Sequence, residues 1–475
     1  MTTRTAVRAW LGIRYATAER FEAPVVRHGW DRDAPHDAYG AAPYQDEDPN
    51  QPLGAEPAED CHFLNVWAPE AAEGSSLPVY VSVYGGGFEH GSASNWAMDG
   101  SVLAATGRVV VVSLNYRVGA LGFVTLAGAT DAFPEASNLG LRDVIAALAW
   151  IRENIADFGG DPARVTVGGE SAGGFLVTAL AAAPSADGLY ARLAVHSAGA
   201  SRILPLPHAA AMANAYLQSL DATEDPTTLR DRPVADLVAA QSRIVGTDIG
   251  ARNGPAPAAL GVVDDHALLA GVLVGHPFDA VASGRVRGVP LLVTATQDEI
   301  APFRAIAGDA FVPASLAQTV EELVSFGAPP GRAEEIVAGH ADDLGDDAGP
   351  AAVRERVLTD YIYRLAAARL ARAHARAGGS AHLLLVGGAD GEPAGHACDV
   401  PALLGRHWPG ATPAAEERDR RITEAVLAFV TETPLGWPSV TSAGEIAAGG
   451  TGELRAAPGA TFAEVLRRWE GIPRP

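Results

Sequence analysis

A chain of 475 residues, 48% hydrophobic and carrying 52 glycines, can bury a large globular core with many turns and is not a disordered sequence. Its formal net charge of −22, with all 35 cations arginine, argues against a nucleic-acid partner, which would need a local basic stripe. No run approaches the roughly 20 apolar residues of a membrane span, and MTTRTAVRAWLGIRYA lacks the apolar stretch of a signal peptide. The two cysteines, Cys61 and Cys398, are too few for a disulfide framework, although one bridge between them is the alternative to two free thiols. A soluble, cytoplasmic protein is expected.

In chain order, AWLGIRYA (9–16) and CHFLNVWAP (61–69) predict two early strands, antiparallel to their neighbours. VYVSV (79–83), VVVVS (109–113), VTV (165–167), LAVHS (193–197), PLLVTA (290–295) and HLLLV (382–386) predict further strands. Most are apolar without strict alternation, the pattern of parallel strands covered by helices on both faces. Leu141, Val144, Ile145, Leu148, Ile151 and Ile155 recur at helical spacing, predicting an amphipathic helix over 139–157 that FGGDP ends. Strands alternating with helices predict an α/β, doubly wound and mostly parallel sheet.

The alanine-rich stretches 200–285 and 303–380 read as helical insertions over one end of the sheet, within a single domain spanning 1–475. In the second, ADDLGDDAG (341–349) lacks the alternating ligands and closing glutamate of a calcium loop, so it predicts a solvated acidic loop. Arg364, Arg369, Arg372 and Arg376 share one helix and predict a solvated cationic face near its C-terminus.

VGGESAGGF (167–175) joins the strand-like RVTV to a helical run that lasts until Pro184. Strand, sharp turn and helix form the setting of a nucleophile elbow. Gly169 and Gly173 leave room where backbones pass closely, and Ser171 stands at a helix N-terminus, where free N–H groups favour developing negative charge. Glycines that merely build a turn are the competing reading. YGGGF (84–88) directly follows VYVSV, so Gly86 and Gly87, with the N–H of Ala172, are candidate oxyanion donors; an ordinary flexible turn is the alternative.

These stretches run in one order along nearly the whole chain together with LGIRYA, EDCHFLNVWAP, YGGGFEHGSA, VVVVSLNYRVGALGF, SNLGLRDVIAALAWIRENIADFGGDPARVTVGGESAGG, PLLVTATQDE, GHACDVP and AVLAFVTETPLGWPSV. The sequence resembles the type-B carboxylesterases, the α/β-hydrolase family of bacterial p-nitrobenzyl-type esterases, carboxylesterases and cholinesterases. The resemblance implies the α/β-hydrolase fold and a triad in the chain order serine, acid, histidine. Ser171 is the nucleophile; Glu299 is the acid, with the adjacent Asp298 as the other carboxylate; His396 is the base, with His382 and His407 as nearby competitors. Glu170 matches the acidic residue beside the family's nucleophile, and Ser197 a second serine supporting the site; a turn acid and a strand-end serine are the plainer readings. Asn115, Arg117, Arg142 and Asp143 match framework positions. The departures are Tyr84 where many members carry histidine, Ile300 in place of the glycine after the acid, and no cysteine upstream to pair with Cys61.

On this reading His396 takes the Ser171 proton as the serine attacks an ester carbonyl, Glu299 orients the imidazole, and Gly86, Gly87 and Ala172 bind the oxyanion. The implied substrate is a small, fairly apolar carboxylic ester, with Phe88 and Trp96 as pocket walls, and the chemistry needs no metal or organic cofactor. Activity is expected to fall as pH drops through about 6–7, the ordinary histidine range. Carbamate or amide cleavage, acyl transfer and biosynthetic elimination suit the same elbow, whereas a non-catalytic binding member would lack the serine or histidine. Monomer and homodimer are equally compatible with the sequence.

Overall fold

Short β-branched segments form the centre of the computed structural model, which describes residues 5–46, 52–72, 74–254 and 257–473. One sheet contains nine strands: β1 (Val7–Arg14), β2 (Phe63–Pro69), β3 (Leu77–Val83), β4 (Val110–Leu114), β5 (Gly160–Glu170), β6 (Arg192–His196), β7 (Leu291–Thr296), β8 (Ala381–Val386) and β9 (Ala448–Thr451). Their spatial order is β1-β2-β4-β3-β5-β6-β7-β8-β9. β1 is antiparallel to β2 and β2 to β4, while every later pairing is parallel. The strand VTV is the centre of a longer element, the 11-residue β5.

The helices that cover this sheet include α1 (Leu139–Asn154), α2 (Ala172–Ala179), α3 (Leu365–Arg376) and α4 (Pro413–Val430). The period of two along β3 separates the two faces. Val79, Val81 and Val83 join a core with α1, α2 and α3, whereas Tyr80 points the other way, onto Ile422 and Val426 of α4. With both faces covered, β4 is buried at every position, which is why its sequence shows no alternation. The apolar stripe of α1 is buried as its spacing predicts, and a short 3₁₀ turn (Ile155–Phe158) carries the chain to Gly159 at φ 80°.

The inserted stretches differ from expectation in three places. Residues 200–285 hold helices but also a two-stranded parallel sheet, Ile203–Pro205 with Val262–Asp264. α3, grouped with the second insertion by its alanine content, packs on β7 and β8 as a sheet-flanking helix. Arg364 is not solvated: it ends a π-helical turn (Thr359–Arg364), is 5% exposed and pairs with Asp360 at 2.6 Å. The extra residue of a π turn shifts helical register, and the buried Asp360 supplies the countercharge. Arg369 donates to the carbonyls of Trp469 and Ile472, and Arg376 is exposed. Of the acidic run, residues 341–344 complete a helix (Pro330–Leu344), and Asp342, Asp343, Asp346 and Asp347 are exposed. Cys61 is buried and Cys398 half-buried, both as free thiols. Among the described residues no helix is long and apolar enough to cross a membrane.

One buried ion pair ties the exit of β4 to α1. Arg117 donates to Asp143 from its backbone N (2.9 Å), Nε (2.8 Å) and Nη2 (2.7 Å), and His62 Nε2 lies 3.1 Å from the same carboxylate. Burial opposes the charge of Asp143, but Arg117 and His62 outweigh it and hold the carboxyl well below the usual range. Removing one partner of such a pair leaves a buried charge uncompensated. Asp143→Ala is expected to lose about 3–5 kcal/mol in urea unfolding; a loss below about 1 kcal/mol, the value of a surface pair, would contradict this account.

Candidate active site

β5 ends at Glu170 and α2 begins at Ala172, so Ser171 alone makes the turn, at φ 53° and ψ −122°. Such a conformation strains a non-glycine residue by about 1–3 kcal/mol and persists only where the surroundings impose it. Here the imposing contact is backbone against backbone. A Cβ on Gly173 would stand 2.2 Å from the Val83 carbonyl oxygen, and one on Gly169 would stand 2.5 Å from the Gly173 carbonyl. The Ser171 N–H donates to the His196 carbonyl of β6 at 3.0 Å, which fixes the turn from the other side.

The carboxyl ends of β5, β7 and β8 bring Ser171, Glu299 and His396 together. His396 Nε2 lies 2.8 Å from Ser171 Oγ, and His396 Nδ1 lies 2.7 Å from Glu299 Oε2. Glu299 Oε1 accepts from the Thr296 N–H at 2.7 Å, and the His396 N–H donates to the Glu299 carbonyl at 3.3 Å. Asp298 turns away and pairs with Arg455. Ile300 adopts φ −86°, ψ −11°, so the loop after the acid does not call for the glycine that the family resemblance implied there. His382 lies on β8, and His407 sits 3.4 Å from Asp419, away from the serine.

Gly86 and Gly87 both take positive φ, 113° and 67°. Among the described residues their N–H groups donate to no protein acceptor. Ala172 is the first residue of α2, so its N–H has no intrahelical partner. Tyr84 explains how the loop is held without the more usual histidine. Its ring stacks on Tyr116 at 4.4 Å, its hydroxyl donates to the Tyr116 carbonyl, and the Tyr116 hydroxyl donates back to the Tyr84 carbonyl, both at 2.9 Å.

Ser171, His396, Gly86 and Gly87 line one cavity of about 850 Å³. Its apolar walls include Trp96, Met98, Phe303, Ile306 and Trp408, with Trp96 and Trp408 packed edge to face at 5.3 Å. Phe88 is not a wall. It is fully buried, with φ 70°, and its ring packs against Phe123 and Phe175 in the core. Ser197 is also fully buried at φ 44°, outside the cavity lining, and its Oγ has no hydrogen-bond partner among the described residues.

Glu170 lines the cavity with Oε1 3.3 Å from His396 Nε2. Three further residues were not singled out from sequence. Tyr363 and Phe303 place rings 4.6 and 5.3 Å from the His396 ring, and Asp399 is buried close by. Asp399 was legible in principle, three residues after His396 in the HACDV run; Tyr363 sits in the π-helical turn and carried no signal. Burial works against the imidazolium of His396, but Glu170, then Glu299 and Asp399, outweigh it and push the pKa up to about 9. Burial, with Asp399 and Glu299 and against the pull of His396, pushes Glu170 up to about 8. Glu170 and His396 therefore compete for a proton, and the expected histidine titration at pH 6–7 moves upward.

The model of the family described as "Carboxylesterase family" matches residues 1–432. Para-nitrobenzyl esterase of Bacillus subtilis (strain 168) is 38% identical over 312 residues, 63% of this chain and 60% of that protein. The chain thus spans less than two thirds of the length of that curated relative. Among solved structures, PNB esterase superposes with a TM-score of 0.78 at 31% identity, over 92% of this chain and 90% of that one. A carboxylesterase of Geobacillus stearothermophilus gives 0.79 at 29% identity, over 92% and 91%.

The strain at Ser171 has a measurable consequence. Glycine tolerates this φ and alanine does not. Ser171→Gly is expected to unfold at higher denaturant than Ser171→Ala, by about 1 kcal/mol. Alanine equal to or above glycine would remove the argument for strain.

Proposed function

We propose that this chain, which belongs to the carboxylesterase family, hydrolyses carboxylic esters through an acyl-enzyme on Ser171. The observation that carries the reading is the unbroken line Ser171 Oγ, His396 Nε2, His396 Nδ1, Glu299 Oε2, with separations of 2.8 and 2.7 Å at its two contacts.

Serine is a weak nucleophile at neutral pH, so its proton must leave as it attacks. His396 Nε2 accepts that proton while Oγ bonds to the ester carbonyl carbon and the carbonyl π electrons move onto oxygen. Glu299, accepting from Nδ1, fixes the tautomer and stabilises the imidazolium. The N–H groups of Gly86, Gly87 and Ala172 receive the oxyanion, and loss of one such donor typically costs about 3 kcal/mol. The tetrahedral species collapses, the alkoxide takes the proton from Nε2 and leaves as alcohol, and water repeats the sequence to free the acid. Catalysis requires neutral His396, which is favoured when Glu170 holds the shared proton. Apolar walls at Trp96, Met98 and Phe303 suit hydrocarbon portions of an ester.

Wild type is expected to hydrolyse p-nitrophenyl butyrate, and Ser171→Ala to lose at least about 10³-fold in kcat with an unchanged circular dichroism spectrum. Undiminished activity in the variant would overturn the assignment.

The kcat/KM of wild type should fall as pH drops, with a midpoint above the ordinary histidine value of 6.5, because the carboxylates around His396 favour its inactive, protonated form. Glu170→Gln removes one of those carboxylate charges and should move the midpoint down. A midpoint that stays or rises in this variant would contradict the electrostatic account.

A further inference from the structure

The cavity's charged lining is unevenly paired. Glu89 is engaged by Arg252, Asp248 by Arg354 at 2.8 and 3.1 Å, and Glu170 faces His396. Arg202 lines the same cavity and forms no ion pair among the described residues. It is 7% exposed, yet neither its Nε nor its Nη2 reaches a hydrogen-bond acceptor among those residues. Its guanidinium carbon lies 5.5 Å from the centre of the Phe88 ring, the residue that follows Gly86 and Gly87. Burial and the neighbouring Arg252 hold its pKa down at about 10, so it remains a cation at neutral pH.

A buried, uncompensated guanidinium is costly, and such charges are ordinarily paired. The free atoms are also informative. Nε and Nη2 form one edge of the guanidinium, with two parallel N–H groups matched to the two oxygens of a carboxylate. The protein uses that edge elsewhere: Arg117 holds Asp143 with Nε and Nη2 at 2.8 and 2.7 Å, and Arg354 holds Glu322 with the same atoms at 2.9 and 2.7 Å. In Arg202 that edge is enclosed and has no acceptor among the described residues, while the side chain lines the cavity holding the nucleophile, so an anion there would meet a guanidinium charge that no carboxylate of those residues pairs.

We propose that Arg202 receives a carboxylate carried by the ester itself, so that the preferred substrates are anionic esters with the carboxylate on the acyl or the alcohol side. This rests on the ester-hydrolase reading and adds a substrate class to it. The chain's net charge of −22 acts against anions at long range, but screening confines that effect to about 10 Å in 0.1 M salt, whereas the Arg202 contact acts at hydrogen-bond distance in a low-dielectric cavity.

Two substrate pairs separate the two sides. Mono-p-nitrophenyl glutarate against p-nitrophenyl valerate places the charge on the acyl group; 4-acetoxybenzoate against its methyl ester places it on the leaving alcohol. In wild type, one pair should show an anionic-to-neutral kcat/KM ratio of at least ten. That ratio should fall at least tenfold in Arg202→Met and recover in part in Arg202→Lys. Independently of any variant's folding, glutarate should inhibit hydrolysis of p-nitrophenyl valerate by wild type competitively, and glutaramide should not. Ratios below one in both pairs with no inhibition by glutarate, or a ratio unchanged in Arg202→Met, would overturn the proposal. If wild type cleaves none of the four esters, the hydrolase reading fails instead. Calorimetric binding of glutarate to wild type, lost in Arg202→Met, would still support the anion site, and its absence would end it.

Discussion

The site depends on the passage of the β5–α2 turn across the end of β3. Gly173 leaves no space for a Cβ against the carbonyls of Val83 and Tyr84, so the turn that exposes Ser171 and the loop that carries Gly86 and Gly87 are locked to one another. β3 lies where the order of the sheet reverses, with β4 on one side and β5 on the other. In open parallel sheets a crevice forms at that point, outside the carboxyl ends of the strands. The strained φ of Ser171 is then a consequence of packing: the strand and the helix are each held by the core, and the one residue between them absorbs the difference.

Charge is arranged on the same frame over shorter distances. Glu170, Glu299 and Asp399 surround one imidazole, and burial together with Glu299 pushes Asp399 up to about 6. These carboxylates raise the proton affinity of His396, while Tyr363 and Phe303 cover its ring. Elsewhere in the cavity lining stand Arg252, neutralised by Glu89, and Arg202, which pairs with no carboxylate among the described residues. Net charge, a sum over the whole chain, says nothing about this division. What a bound molecule meets is set by a few groups a few ångströms away.

The parts of this arrangement governed by backbone rules were legible in the sequence. Buried parallel strands must be apolar on both faces, a sharp strand-to-helix turn needs glycines at close passages, and a donor loop needs free N–H groups; each demand leaves residue types at fixed spacing. Glu299 and His396 emerged through family resemblance, since periodicity could not choose among thirteen histidines. Side-chain direction was not legible. Phe88 follows the donor glycines and reads as a pocket wall, yet its positive φ turns the ring into the core beside Phe123 and Phe175. Arg364 reads as one of a row of solvated cations, but the π-helical turn places it beside the buried Asp360.

Arg202 joins these two lessons. It immediately precedes Ile203–Pro205, a strand that pairs with Val262–Asp264, and that partner strand is held by Asn138, whose side chain bonds the Val263 backbone N–H and carbonyl, both at 2.8 Å. The segment that follows Arg202 is therefore tied to the start of α1, more than sixty residues earlier in the chain, through a small sheet whose sequence resembles ordinary loop. The groups to which the proposed reaction is assigned sit on the ends of the central strands, where local pattern and long-range position coincide. The group proposed to select the substrate sits on a segment positioned by such second-hand contacts. For this reason the chemistry can be read along the chain, whereas the selectivity has to be read across it.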